Sequence, residues 1–161
     1  MTMKPTKLSI IALESMVGAK SQSIEAQYNP KEMSVDKSVP WSKHKDSKSD
    51  HPHLEFSGAD GRSMSFELMF DTYEDDTNVQ NKVEILQRMA MVRNPATSAA
   101  EDEKRPSRVK VVWAGGLPPF EGVIESVGTK YTMFSDKGFP VRATCTCKVK
   151  EASRASFKKG T

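Results

Sequence analysis

A mainly β fold, an antiparallel barrel or sandwich of about seven strands with one flanking α-helix, is predicted by three features of the chain. Residues 64–73 read M-S-F-E-L-M-F-D-T-Y, so Met64, Phe66, Leu68 and Phe70 take every second position while Ser65, Glu67 and Asp71 fall between them. That alternation marks a strand with one wet face. Residues 141–149 repeat it, with Val141, Ala143, Cys145, Cys147 and Val149 on one side and Arg142, Thr144, Thr146 and Lys148 on the other. The third feature is a single helical period, with none of the strand-helix-strand rhythm of a parallel sheet. Two amphipathic strands of this kind belong in one sheet, with core below and water above.

Composition narrows the class. The chain has 161 residues, 37% of them hydrophobic, which suits one domain around one modest core. Charged residues make up 28%, yet the net charge is only +3 and the signs are interspersed, so no basic stripe points to nucleic acid. Cys145 and Cys147 flank one residue on a common strand face, roughly 6–7 Å apart, which disfavours a disulfide between them. Assembly in a reducing cytosol is therefore expected. The apolar run at 8–13 is too short for a signal peptide or for the ~20 residues of a membrane span, so neither is expected.

The elements follow in order. Residues 8–13 form a strand, 15–21 a glycine-containing turn, and 23–28 a second strand carrying Ile24, Ala26 and Tyr28 on one face, together a hairpin. Asn29-Pro30 ends it, and the segment up to Trp41 has mixed character. Residues 42–53, S-K-H-K-D-S-K-S-D-H-P-H, hold too little apolar surface to order themselves, and predict a mobile loop or hairpin tip that another subunit orders. Lys43, His44, Lys45, Asp46, Lys48, Asp50 and His51 are its inter-subunit candidates. Leu54 and Phe56 resume extended character, and Asp60-Gly61 predicts a hairpin turn directly into the 64–73 strand.

The helix is expected at about 76–92, opened by Glu74, Asp75, Asp76 and Thr77. Its apolar stripe is Val79, Val83, Leu86 and Ala90, widened by Ile85, Met89 and Val92, and Asn94-Pro95 stops it. Residues 94–107 read as a flexible connection. A strand over 108–114 carries Val109, Val111 and Trp113 on one face, and Gly115-Gly116 with Pro118-Pro119 enclose a turn. Apolar parity along 120–134 switches near 126–128, which predicts a β-bulge. A turn at 136–138 leads into the last strand, and a short basic tail occupies 153–161 after a domain of 1–152. The expected core includes Phe66, Leu68, Phe70, Val83, Leu86, Val111, Trp113, Val141, Cys145 and Cys147.

Chemical motifs are sparse. His51 and His53, with His44 and Asp50 nearby, lack a spaced second ligand pair, and a solvated loop outweighs a metal site. Cys145 and Cys147 read as small buried residues rather than soft-metal ligands. Asp71, Glu74, Asp75 and Asp76 sit at a strand-to-helix junction, where capping outweighs acid/base catalysis. Gly115-Gly116 has no P-loop or Rossmann spacing, and no nucleophile motif is present. A non-enzyme without metal or cofactor is the expectation.

Eight segments in order carry a family resemblance: Y-N-P at 28–30, K-S-V-P-W at 37–41, L-E-F-S-G at 54–58, S-F-E-L-M-F-D-T-Y at 65–73, R-P-S-R-V-K-V-V-W at 105–113, F-E-G-V-I-E-S-V at 120–127, Y-T-M-F at 131–134 and G-F-P-V-R-A at 138–143. Over residues 8–152 the chain resembles the tube-domain proteins of contractile injection systems, which include the baseplate tube adaptors of phage-tail-like particles. The resemblance implies a phage tail-tube-like barrel of two sheets, assembled as a hexameric ring around a channel. Implied partners are a VgrG-like spike hub, the inner tube or tube-initiator ring, and baseplate proteins, in a particle that is released or anchored.

In such a ring the wet strand face turns to the channel, which makes Ser65, Glu67, Thr144, Thr146 and Lys148 the lumen-facing candidates. Many adaptors of the family carry a LysM module, for which 151–161 leaves no room. A tube-initiator or inner-tube ring protein is therefore the alternative to the adaptor. A monomeric β-sandwich binding module, with Trp41 and Trp113 as its aromatic anchors, is the alternative of a different class.

Overall fold

The computed structural model describes residues 6–18, 22–43, 54–56, 61–96, 99 and 103–152. Its elements are β1 (Ser9–Ala12), β2 (Ser23–Glu25), β3 (Met33–Asp36), β4 (Trp41–Lys43), β5 (Leu54–Phe56), β6 (Ser63–Asp71), α1 (Gln80–Met89), β7 (Arg108–Trp113), β8 (Leu117–Phe134) and β9 (Pro140–Glu151). Seven strands make one antiparallel sheet in the order β2-β1-β7-β8-β9-β6-β3, curled into a half-barrel, and β4 pairs with β5 in a separate ribbon. The mainly β class with one helix is thus the observed one.

Alternation decides which side of the sheet is filled. On β6 Met64, Phe66, Leu68 and Phe70 are buried, and on β9 Val141, Ala143, Cys145, Cys147 and Val149 are buried. Their register sets Phe66 opposite Cys147, Leu68 opposite Cys145 and Phe70 opposite Ala143, so large side chains face small ones across the ladder. Such complementarity is how a core layer reaches solid-like packing density. Val83, Leu86 and Met89 of α1 join the same cluster, as do Ile10, Val109, Val111, Phe120 and Ile124 from the neighbouring strands. Where β8 meets β9 at Gly122, a Cβ would lie 2.1 Å from the Lys150 carbonyl oxygen, so only glycine fits that crossing.

Trp113 departs from its expected place in the core. It ends β7 beside the turn into β8, is only partly buried, and packs against the core while its indole N–H donates to the Thr6 carbonyl at 3.3 Å. The ring thus packs on the core while its polar tip stays paired at the rim of the sheet.

Other expectations shift for local reasons. The helix begins at Gln80, because the chain from Tyr73 to Asp76 turns first, with Asp76 at φ 50°. No side chain caps Val79, and the acidic residues precede the first turn instead of occupying it; Asn78 Oδ1 accepts the Gln80 N–H at 2.9 Å. The helix also ends at Met89, ahead of Asn94-Pro95. The predicted hairpin between the 54–56 strand and the 64–73 strand does not form: β5 pairs with β4, while β6 pairs with β3 and β9. The bulge does form, as a register shift between Ile124 and Ser126, with further shifts near Met133.

The connection before β7 is tied down where it is described. Ser107 is buried, and Arg105 grips the Glu14 carboxylate with two bonds of 2.8 and 2.9 Å. The Arg108 backbone N–H donates to the same carboxylate at 3.0 Å, and Arg93 lies 3.5 Å away. Chiefly through the Arg105 bond, the Glu14 pKa is pulled down to about 2. This anchor joins the end of β1 to the start of β7 and to the segment after α1.

Candidate functional site

The polar face of the half-barrel lies over β6, β8 and β9. Ser65, Glu67, Thr144, Thr146 and Lys148 alternate with the buried residues of their strands, Ser65 and Thr144 half-buried and the other three exposed. Register makes them neighbours: Ser65 pairs with Lys148, Glu67 with Thr146, and Met69 with Thr144. Adjacent strands lie about 4.8 Å apart, so the five form one contiguous patch. The next strands extend it, with Ser34 of β3 opposite Ser65, and Ser126, Gly128 and Lys130 of β8 opposite Lys148, Thr146 and Thr144.

Sequence reading passed over Ser34, Met69, Ser126, Gly128 and Lys130. The parity switch near 126–128 is the signal for the β8 members, because it turns the even-numbered residues to the wet face. For Ser34 there was no such signal, since β3 shows no alternation in burial.

Charges on this face are short-range and mixed. Lys148 lies 3.8 Å from Glu125, and Arg142 holds Asp71 Oδ2 through Nε at 3.0 Å and a terminal nitrogen at 2.8 Å. The Asp71 carboxyl sits below its ordinary range, first because the Tyr73 backbone N–H donates to it and then because of Arg142. Toward one end the 28–32 segment borders a groove of about 360 Å³ shared with Glu67, Met69 and Thr144. The result is a hydrated surface of small hydroxyls and balanced ions, suited to contact without tight capture.

Behind it the two thiols are chemically quiet. Burial pushes Cys147 up to about 12 and raises Cys145 as well, and both are free. Among the described residues no group of three or more His, Cys, Asp or Glu is placed to hold a metal, and no helix is long and apolar enough to cross a membrane.

The sheet has two edges, β2 and β3. Flanking β2, the Gln22 carbonyl accepts the Ala12 N–H at 2.9 Å and the Ala26 N–H donates to the Leu8 carbonyl at 2.8 Å. By the alternation of an antiparallel ladder, the backbone groups of Ser23 and Glu25 then point to the open edge. Just beyond it, the Gln27 side-chain amide imitates a strand partner: its Nε2 donates to the Asp71 carbonyl and its Oε1 accepts the Asp71 N–H, both at 2.9 Å. That clamp joins the β2 side of the sheet to the end of β6.

The ribbon of β4 and β5 carries the inter-subunit candidates. Trp41 pairs with Phe56 and Lys43 with Leu54, so these four share one face. Trp41, Leu54 and Phe56 are each 57% exposed, and the Trp41 and Phe56 rings meet edge-on with centroids 5.5 Å apart. Lys43 is exposed at the end of β4, whereas His44, Lys45, Asp46, Lys48, Asp50 and His51 lie outside the described residues.

No curated protein sequence matches this chain. The pattern of a curled β-sheet with one filled face and one exposed polar face does agree with a family match that spans nearly its whole length. A family model described as "Contractile injection system tube protein" matches residues 4–159, and the chain belongs to that family.

Proposed function

We propose that this protein is the adaptor ring of a contractile injection system, joining a VgrG-like spike hub to the inner tube around a central channel. Family membership gives it a structural role in such a system. The observation that carries the finer reading is the contiguous polar patch formed by Ser65, Glu67, Thr144, Thr146 and Lys148 on a sheet whose edge strands, β2 and β3, have no further strand partner among the described residues. Open edges invite pairing with another chain, and repetition of one lateral contact closes a ring when the rotation allows it.

In a hexamer the β2 edge of one copy meets the β3 edge of the next, and the hydrated patch lines the channel. The ribbon, with Trp41, Leu54 and Phe56 on one face, reaches to a neighbour and covers there what it leaves exposed in a single copy. The tube-initiator or inner-tube ring is the second reading, favoured by the family's description as a tube protein.

Electron microscopy of assembled particles tests both. One six-fold ring of this chain between hub and tube is the expected result. Copies repeating along the tube would replace the adaptor with the second reading, and a monomer at every concentration would end both.

A further inference from the structure

We infer that residues 27–32 form a strap across one end of the hydrated face, closed by two side-chain amide clips and able to lift away from β6 while the sheet stays folded. The segment joins β2 to β3, and so crosses from the β1 side of the half-barrel to the β6 side. The β3–β6 ladder stops at Met33 and Phe66, short of the end of β6. Pairing resumes at Asp71 through Gln27, whose Nε2 donates to the Asp71 carbonyl and whose Oε1 accepts the Asp71 N–H, both at 2.9 Å. Asn29 does the same on the other side: its Oδ1 accepts the Leu8 N–H at 3.0 Å and its Nδ2 donates to the Thr6 carbonyl at 2.8 Å. Each amide thus imitates the peptide group of a neighbouring strand, one toward β6 and the other toward the chain entering β1.

Beyond a bond from Lys7 Nζ to the Gln27 carbonyl at 2.9 Å, little else fastens the segment. Among the described residues no backbone–backbone bond ties 28–31 to the rest of the chain, and Pro30 is the one strap residue that is buried. Beneath the strap lies the groove of about 360 Å³, with Glu67, Met69 and Thr144 as its floor. Tyr28 is 49% exposed and Met69 39%, so both walls of the groove are wetted. A segment held by side-chain bonds at the edge of the water and by one buried ring opens more readily than the ladders on either side of it. Lifting it uncovers Glu67 and Thr144 and widens that end of the polar patch. Where the patch lines a channel, a consequence that rests on the ring proposed above, the straps set the bore at one mouth. The strap itself belongs to the single chain.

Amide hydrogen exchange on the full-length, unassembled chain reads both clips, because Gln27 guards the Asp71 amide and Asn29 the Leu8 amide. Both amides should exchange at least about tenfold faster than those of Leu68 and Cys145, which face each other in the middle of the β6–β9 ladder. Gln27→Ala should speed exchange about tenfold at Leu8 as well as at Asp71, and Asn29→Ala should do so at Asp71 as well as at Leu8, with Leu68 and Cys145 unmoved. Gln27→Glu, which keeps the acceptor and loses the donor, should raise both rates by less. A substitution that acts only at its own amide would leave two independent bonds and no strap. An increase shared equally by Leu68 and Cys145 would make the segment part of the global fold, and either result overturns the inference. Coupled exchange in a chain that never forms a ring would uphold the strap while removing the channel.

Discussion

The wall built by β6, β8 and β9 and the ribbon built by β4 and β5 use the same vocabulary of aromatic, aliphatic and charged residues, yet they solve different problems. In the wall, each apolar residue of β6 faces a residue of β9 across a register unbroken from Ser63 to Asp71, and Phe70 is 1% exposed. In the ribbon three residue pairs are aligned, and Trp41, Leu54 and Phe56 stay largely in water. A two-stranded ribbon is at best marginally stable alone. The wall is filled within one chain, whereas the described part of the ribbon leaves its apolar face exposed.

The comparison breaks if both regions respond alike to truncation. Phe70→Ala should lower the unfolding free energy by about 4 kcal/mol, the scale of a deeply buried aromatic that leaves a cavity, read as a fall in the urea midpoint at unchanged slope.

Smaller but sharper is the effect at the anchor between β1 and β7. Glu14→Gln should cost on the order of 2 kcal/mol at neutral pH, because Arg105 and Arg108 lose a charged acceptor in a mostly buried site. The sign of its pH dependence follows from the lowered pKa. A carboxylate depressed to about 2 from 4.5 contributes its full stabilisation above the unfolded value and loses it as pH falls toward 2. The parent chain should converge on the Gln variant across that acid window, as followed by denaturation at several pH values. A difference between them that stays constant through the window would contradict the anchor.

At the small end, Trp41→Ala with Phe56→Ala should change the stability of the unassembled chain by no more than about 0.5 kcal/mol. The same double substitution should weaken self-association measurably by sedimentation. Equal loss in fold and assembly would make the ribbon part of the core after all.

These differences also explain how far the sequence could be read. The wall was legible because period-two alternation survives wherever one face is buried, as in Phe66, Leu68 and Phe70 or Cys145 and Cys147. Of the ribbon only the extended 54–56 segment was legible; β3, β4 and the pairing of β5 were not, because all of β4 and β5 and most of β3 are exposed and burial imposes no period on them. Asp60-Gly61 suggested a local turn, yet β6 already has β9 and β3 as its two partners, and β5 pairs elsewhere. The start of α1 moved because Glu74, Asp75 and Asp76 serve a turn before the helix. The Glu14 anchor joins residues more than ninety positions apart, and no local pattern announces it.

Of the polar patch, the members were legible and their neighbours across β8 were not. Strand parity gives a face, while only register says which strands lie beside each other. The address of that face, water inside a channel or water outside it, is the claim on which the proposed role turns.

A single labelling experiment addresses it most directly. With Cys145 and Cys147 buried, a cysteine placed by Glu67→Cys on the patch or by Glu84→Cys on the exposed side of α1 supplies the accessible thiol. In the unassembled chain both should react with small and polymer-linked thiol reagents. In assembled rings or tubes, position 67 should keep reacting with the small reagent while the bulky one is shut out, and position 84 should take both. Unhindered bulky labelling at position 67 in the assembly would contradict a channel-lining face.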